Sequence, residues 1–167
     1  MSIAHGGQVI GYSDAHYGHT RNLLAPGRSE TMVEDGKLLA STGLLEVPGK
    51  DWVVLKLGHL GVIHQVEVDT NHFKGNLTES FMIYGTRYFG DLYHDDTSSK
   101  ETGIKWEVML PRVKLIAHKQ NYFSFVDGNV NLIPNGVNFV KFEIFPDVAI
   151  SRLRLMGNKN DHVIMIT

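Results

Sequence analysis

In the stretch Val62-Ile63-His64-Gln65-Val66-Glu67-Val68-Asp69-Thr70, the residues Val66, Val68 and Thr70 fall on one side of an extended chain and Gln65, Glu67 and Asp69 on the other. A helix would scatter those two sets around its circumference. The period of two therefore predicts a strand with one face packed and the other half-solvated. Working outward, strand character recurs at Trp52–Leu57, Phe81–Thr86, Lys105–Leu110, Tyr122–Val126, Phe139–Phe145 and Ile150–Met156, each short and bounded by Gly, Pro, Asn or Asp. Within Phe139–Phe145, the residues Val140, Phe142 and Ile144 form an apolar stripe expected to lie deep. Helical character is confined to a hint at Arg21–Leu24, so the pattern predicts an all-β fold, an antiparallel sandwich. Trp52 and Trp106, each following a polar residue at a strand start, are expected in the core. Gly90–Thr102, which holds Asp91, Asp95, Asp96, Ser98, Ser99 and Lys100, has little to bury and reads as a mobile loop.

Composition bounds the function. The chain has 167 residues, 43% of them hydrophobic and 20% charged, which suits one globular domain spanning residues 1–167 without internal repeat or linker. A chain of this length buries roughly 68–70% of its extended surface and needs no disulfide or metal staple. A formal charge of −2 and a pI near 6.5 provide no basic field, which argues against nucleic acid and anionic membrane as partners. With no cysteine, thiol catalysis, thiolate metal sites and disulfides are excluded together, and a cytoplasmic protein is expected. The start Met1-Ser2-Ile3-Ala4-His5-Gly6-Gly7 lacks the features of a signal peptide, and no apolar run approaches the ~18 residues of a membrane span.

Three stretches, in this order, resemble the allantoicase family, and its C-terminal repeat more than its N-terminal one. They are Gly11-Tyr12-Ser13-Asp14-Ala15-His16-Tyr17-Gly18 through Asn22-Leu23-Leu24-Ala25-Pro26-Gly27-Arg28; Asp51-Trp52-Val53-Val54-Leu55-Lys56-Leu57-Gly58; and Val66-Glu67-Val68-Asp69-Thr70-Asn71-His72-Phe73-Lys74-Gly75-Asn76. Phe145-Pro146-Asp147 and Ser151-Arg152-Leu153-Arg154-Leu155-Met156-Gly157 resemble the close of the same repeat. The resemblance implies a galactose-binding-like jelly roll, one of the two similar halves of the family. Two segments depart from the family pattern. Where members usually carry Asp-Gly-Trp-Glu-Thr followed by a basic residue, Asp35-Gly36 runs into Lys37-Leu38-Leu39-Ala40-Ser41, and Pro-Asp-Gly-Gly reads Pro146-Asp147-Val148-Ala149.

The family reaction implied is hydrolysis of allantoate to ureidoglycolate and urea. It calls for a proton donor to departing urea, a base or a divalent metal to activate water, and cations or amides for the substrate carboxylate. Asp69, His72 and Asp14 are the candidate catalytic groups, with His16, Asn22, Asn76, Arg152 and Arg154 as candidate substrate contacts. Each has a plainer reading. Asp69 suits capping of the turn Asn71–Asn76, His72 a half-buried gap, and Asp14, His16 and His19 a surface loop, although His-x-x-His with Asp14 could contribute to a metal site. Asn22 and Asn76 suit turns. Arg152 and Arg154 share one face of a strand whose other face is Leu153 and Leu155, so they could line a cleft or simply form a solvated edge. No residue is assigned to a metal. The expected function is that of an allantoicase-like hydrolase with a small ureide as substrate, assembled as a homo-oligomer. The alternative is a catalytically impaired relative that serves as a small-ligand or protein-binding jelly-roll module, since the missing Trp-Glu-Thr-x-Arg removes a carboxylate and a guanidinium from one loop.

Overall fold

A computed structural model describes residues 6–13, 23–28, 31–34, 37–40, 51–71, 79–93, 103–145 and 150–159, with backbone only at 31–34 and 37–40. Its strands are β1 (Gln8–Tyr12), β2 (Thr31–Glu34), β3 (Lys37–Ala40), β4 (Asp51–Asp69), β5 (Ser80–Thr86), β6 (Glu107–Lys114), β7 (Gln120–Ser124), β8 (Val137–Phe145) and β9 (Arg152–Lys159). Every pairing among them is antiparallel. The fold is all β, with Leu23 and Leu24 in a single tight helical turn. The rest of the anticipated Arg21–Leu24 segment lies outside the described residues, as does most of the Gly90–Thr102 loop.

Trp52–Leu57 and Val62–Thr70, expected as separate strands, are the two arms of the 19-residue β4. The first arm pairs with β1 and β8, from Asp51↔Ile144 to Lys56↔Phe139. The second pairs with β9 and β7, with Val66↔Leu155 on one side and Val66↔Phe123 on the other. Regular pairing with β8 lapses between Lys56 and Gly61, and pairing with β9 lapses between Ile63 and Gln65. A long strand that crosses between layers needs such irregularities to turn the corner. Glycine supplies the room there: a Cβ on Gly157 would sit 2.2 Å from the Val62 carbonyl oxygen, and one on Gly61 would sit 2.7 Å from that of Asn158. The result is one layer ordered β1-β4-β8-β5-β6 and a second built from β7, the far arm of β4, and β9.

The core fills the space between these layers. Val53 and Leu55 from the first arm of β4, Val66 and Val68 from the second, Val140, Phe142 and Ile144 from β8, and Leu153 and Leu155 from β9 all belong to one buried cluster. The apolar stripe on β8 is thus where its alternation places it. Phe81 of β5 joins the layers, its ring meeting Phe123 of β7 edge-on at 5.1 Å and Phe142 at 5.5 Å between centroids. The tryptophans are not in this core. Trp52 and Trp106 are partly buried against a second cluster of Val54, Leu92 and Phe139, because the opposite parity on β4 and β8 points to the outer face of the first layer. Strand ends also differ from the sequence pattern: β6 begins two residues later than Lys105 and runs on to Lys114, and β7 is displaced two residues toward the N-terminus, Gln120–Ser124 in place of Tyr122–Val126.

β1 and the β2–β3 pair were not foreseen. Among the described residues β2 and β3 pair only with each other, with Glu34 opposite Lys37, in the stretch that departs from the pattern of the resembled family. Asp35-Gly36, which separates them in the sequence, is the short-range hairpin signal that the sequence carried.

Candidate functional site

The outer face of the second layer is built from alternate residues of three strands. In register, Asp69 of β4 lies between Gln120 of β7 and Arg152 of β9, and Glu67 lies between Tyr122 and Arg154. Two carboxylates on the middle strand are therefore flanked by amide, phenol and two guanidinium groups. Opposite charges directly across a ladder support the pairing. Gln65, Glu67 and Asp69 were expected on a half-solvated face, but Glu67 and Asp69 are buried, at 4% and 0% exposure. The cause is a segment from far earlier in the chain. Pro26, Gly27 and Arg28 lie over the face, and Arg28 reaches down to both carboxylates, with Nη1 bonded to Glu67 Oε1 and 3.1 Å from Asp69 Oδ2.

Each carboxylate is well satisfied. Glu67 Oε1 also accepts from Arg154 Nη1 at 3.0 Å. Asp69 Oδ1 accepts the Asn71 amide at 2.9 Å, as a turn-capping aspartate does, and its Oδ2 accepts from Gln120 Nε2 at 3.3 Å as well as from Arg28. Hydrogen bonding to Glu67 is the main cause that holds the Arg28 guanidinium above its ordinary pKa against a partial desolvation penalty, with smaller help from Tyr122 and Asp69. Arg28 therefore carries its charge at any pH at which the protein folds.

Arg152 and Arg154 do share the face opposite Leu153 and Leu155, but they do not form a solvated edge. Arg152 is buried, donating from Nε to Gly27 O at 3.0 Å and from Nη1 to Ser151 O at 2.6 Å. Arg154 Nη2 donates to Gly27 O at 3.0 Å and Pro26 O at 3.3 Å. The structure thus brings three of the sequence-derived candidates, Asp69, Arg152 and Arg154, onto one face. His72, Asn76, Asp14, His16, His19 and Asn22 lie outside the described residues. Ser13, next to Asp14, donates to Asp51 Oδ1 at 2.6 Å at the first end of β4, whereas Asp69 is its last residue.

Glu67, Arg28, Gln120 and Tyr122 were missed as site residues. A usable signal was present for the first: carboxylates two apart on one strand and arginines two apart on another can match rung for rung only if both pairs face the same way. Among the described residues no group of three or more His, Asp or Glu is arranged to hold a metal ion. A cleft of about 320 Å³ opens at the corner of β4 and is lined by Leu57, Leu60, Val62, Leu155, Met156 and Lys159 among others, and none of the described candidate site residues, Asp69, Arg152 and Arg154, borders it.

Residues 1–160 match the family described as the allantoicase repeat. The chain belongs to the allantoicase family. It is 38% identical over 160 residues to a probable allantoicase of Photobacterium profundum, a match covering 96% of this chain and 45% of that protein. It is also 36% identical over 157 residues to one of Pseudomonas savastanoi, covering 94% and 44%. The chain thus spans less than half the length of these allantoicase relatives. Among solved structures it resembles the allantoicase of Saccharomyces cerevisiae, with 25% identity and a TM-score of 0.70 over 94% of this chain and 42% of that one. A Clostridium perfringens CBM32 module in complex with GalNAc-β-1,3-galactose shares the fold at 7% identity and a TM-score of 0.63. The galactose-binding-like jelly roll implied by the allantoicase resemblance is therefore the fold of this chain.

Proposed function

We propose that this chain acts in the hydrolysis of allantoate to ureidoglycolate and urea, as one repeat of an allantoicase whose working unit pairs two such repeats. The observation that carries this reading is a family match spanning nearly the whole chain while covering 45% of a relative. Two copies of this chain would supply the length of one such relative. A homo-oligomer is the simplest form of that pairing. Among the described residues no helix is long and apolar enough to cross a membrane, and the absence of cysteine suits the cytoplasm.

In the reaction, water adds its oxygen to the carbon that carries the substrate carboxylate, and urea leaves from that carbon with a proton. Asp69 and Arg152, both buried and each in several hydrogen bonds, serve by position: Asp69 fixes Arg28 and the turn at Asn71, and Arg152 holds the Pro26–Arg28 segment over the sheet. Proton transfer then falls to His72 and Asp14, with His16, Asn22 and Asn76 contacting the ureide groups.

The test is urea release from allantoate by the purified chain, with and without added divalent metal, at concentrations spanning its assembly by light scattering. Turnover of ~1–10³ s⁻¹ that rises with assembly is expected. Allantoate binding without urea release in any assembly state would point to a non-catalytic binding module, and neither binding nor release would overturn the reading altogether.

A further inference from the structure

We infer that Arg28 is the specificity-determining residue of this face, a guanidinium held in place to grip the carboxylate of its ligand. The inference deepens the proposed function and rests on it for the identity of that ligand. Its warrant is geometric.

The Pro26–Arg28 segment does not depend on the Arg28 side chain for its position. Its main-chain carbonyls are held from below by the two arginines of β9, at Pro26 O, Gly27 O and Arg28 O. The Arg28 side chain lies on a base of two carboxylates, and both are contacted through Nη1, so neither contact draws on Nε or Nη2. The Arg28 side chain is 52% exposed, whereas the carboxylates beneath it are 6% and 0% exposed. A guanidinium with one edge anchored and another open to solvent is preorganised for a bidentate carboxylate.

Glu67 and Asp69 are positioning residues for Arg28, and a guanidinium offered in this way takes a small carboxylate, the group that the substrate of the proposed reaction carries between its uncharged arms.

Allantoate and methylenediurea, which is the same skeleton without its carboxylate, separate this role from a structural one. The measurements are steady-state urea release and calorimetric binding of both compounds by the wild-type chain, Arg28→Met and Arg28→Lys, each first shown to be folded by its melting curve. In Arg28→Met, affinity for allantoate should fall about 100-fold or more, while binding of methylenediurea changes less than about threefold. Arg28→Lys keeps the charge but loses the fork and should fall between the two. Equal loss for both compounds, or no loss for allantoate, would overturn the assignment. A second arm is independent of turnover: the Arg28 Nε resonance is followed during titration with hydantoate, the carboxylate that carries a single ureido arm. A saturable shift with hydantoate and none with methylenediurea upholds the assignment even if no urea is ever released, in which case only the proposed reaction fails. A resonance that hydantoate leaves unmoved overturns it.

Discussion

Glu67→Ala is expected to destabilise the protein by about 2–3 kcal/mol and to lower its melting temperature by roughly 5–10 °C. Among the described residues Glu67 is the carboxylate that both Arg28 and Arg154 contact, and its side chain is 6% exposed. Removing it leaves two guanidinium groups close together with no countercharge between them, a larger loss than that of the ion pairs alone. The loss stays below the ~3–5 kcal/mol typical of a broken buried pair, because Arg28 is half in solvent and retains Asp69. Thermal or urea melts of the variant provide the measurement. Combining Glu67→Ala with Arg154→Leu should recover part of the loss, since the second change removes an unpaired charge; full additivity of the two would contradict the account.

Phe81→Ala should cost more, about 3–5 kcal/mol, the usual range for emptying a phenylalanine site in a packed core. The Phe81 ring is fully buried and is shared between the layers, touching Phe123 of the second and Phe142 of the first. The void would therefore open where the sheets meet, and neither can collapse into it without moving a whole strand. A shift of the urea midpoint with an unchanged m-value is the expected signature. A loss under about 1 kcal/mol would show that the layers are not joined at this ring.

What could be read in the sequence follows from where the information sits. Val66 and Val68, and the stripe of Val140, Phe142 and Ile144, were legible because a strand announces its buried face in its own alternation. The environment of Glu67 was not. A polar residue on the outward parity of a strand looks solvated unless something covers it, and here the cover is Arg28, 39 residues away along the chain. Trp52 was misplaced for the same reason: local pattern marks it as apolar but not which of two clusters receives it, and Lys141, 5.6 Å above its ring, belongs to the neighbouring strand. The family resemblance led to Asp69, Arg152 and Arg154 but not to Arg28 as their common partner, although Pro26-Gly27-Arg28 was among the stretches that carried it.

The bent β4 has a consequence for how the chain reaches its native state. All of its partners are distant in sequence, from Gln8 opposite Lys56 to Arg152 opposite Asp69. Few contacts reward the chain before long loops have closed, the condition that slows folding in β proteins toward milliseconds to seconds. β5, β6 and β8 of the first layer can pair among themselves before β4 joins them, whereas in the second layer β7 and β9 both pair with β4 and have no nucleus without it. A nascent chain that has not yet reached β9 has made every residue of the carboxylate row and none of the arginines of β9 that answer it. Until the last strand arrives, Arg28 is already in the chain but the carbonyls of its segment lack the arginines that hold them over the face, so the two carboxylates are less firmly covered beside the unpaired side of β4, where like charges discourage pairing with another unfinished copy.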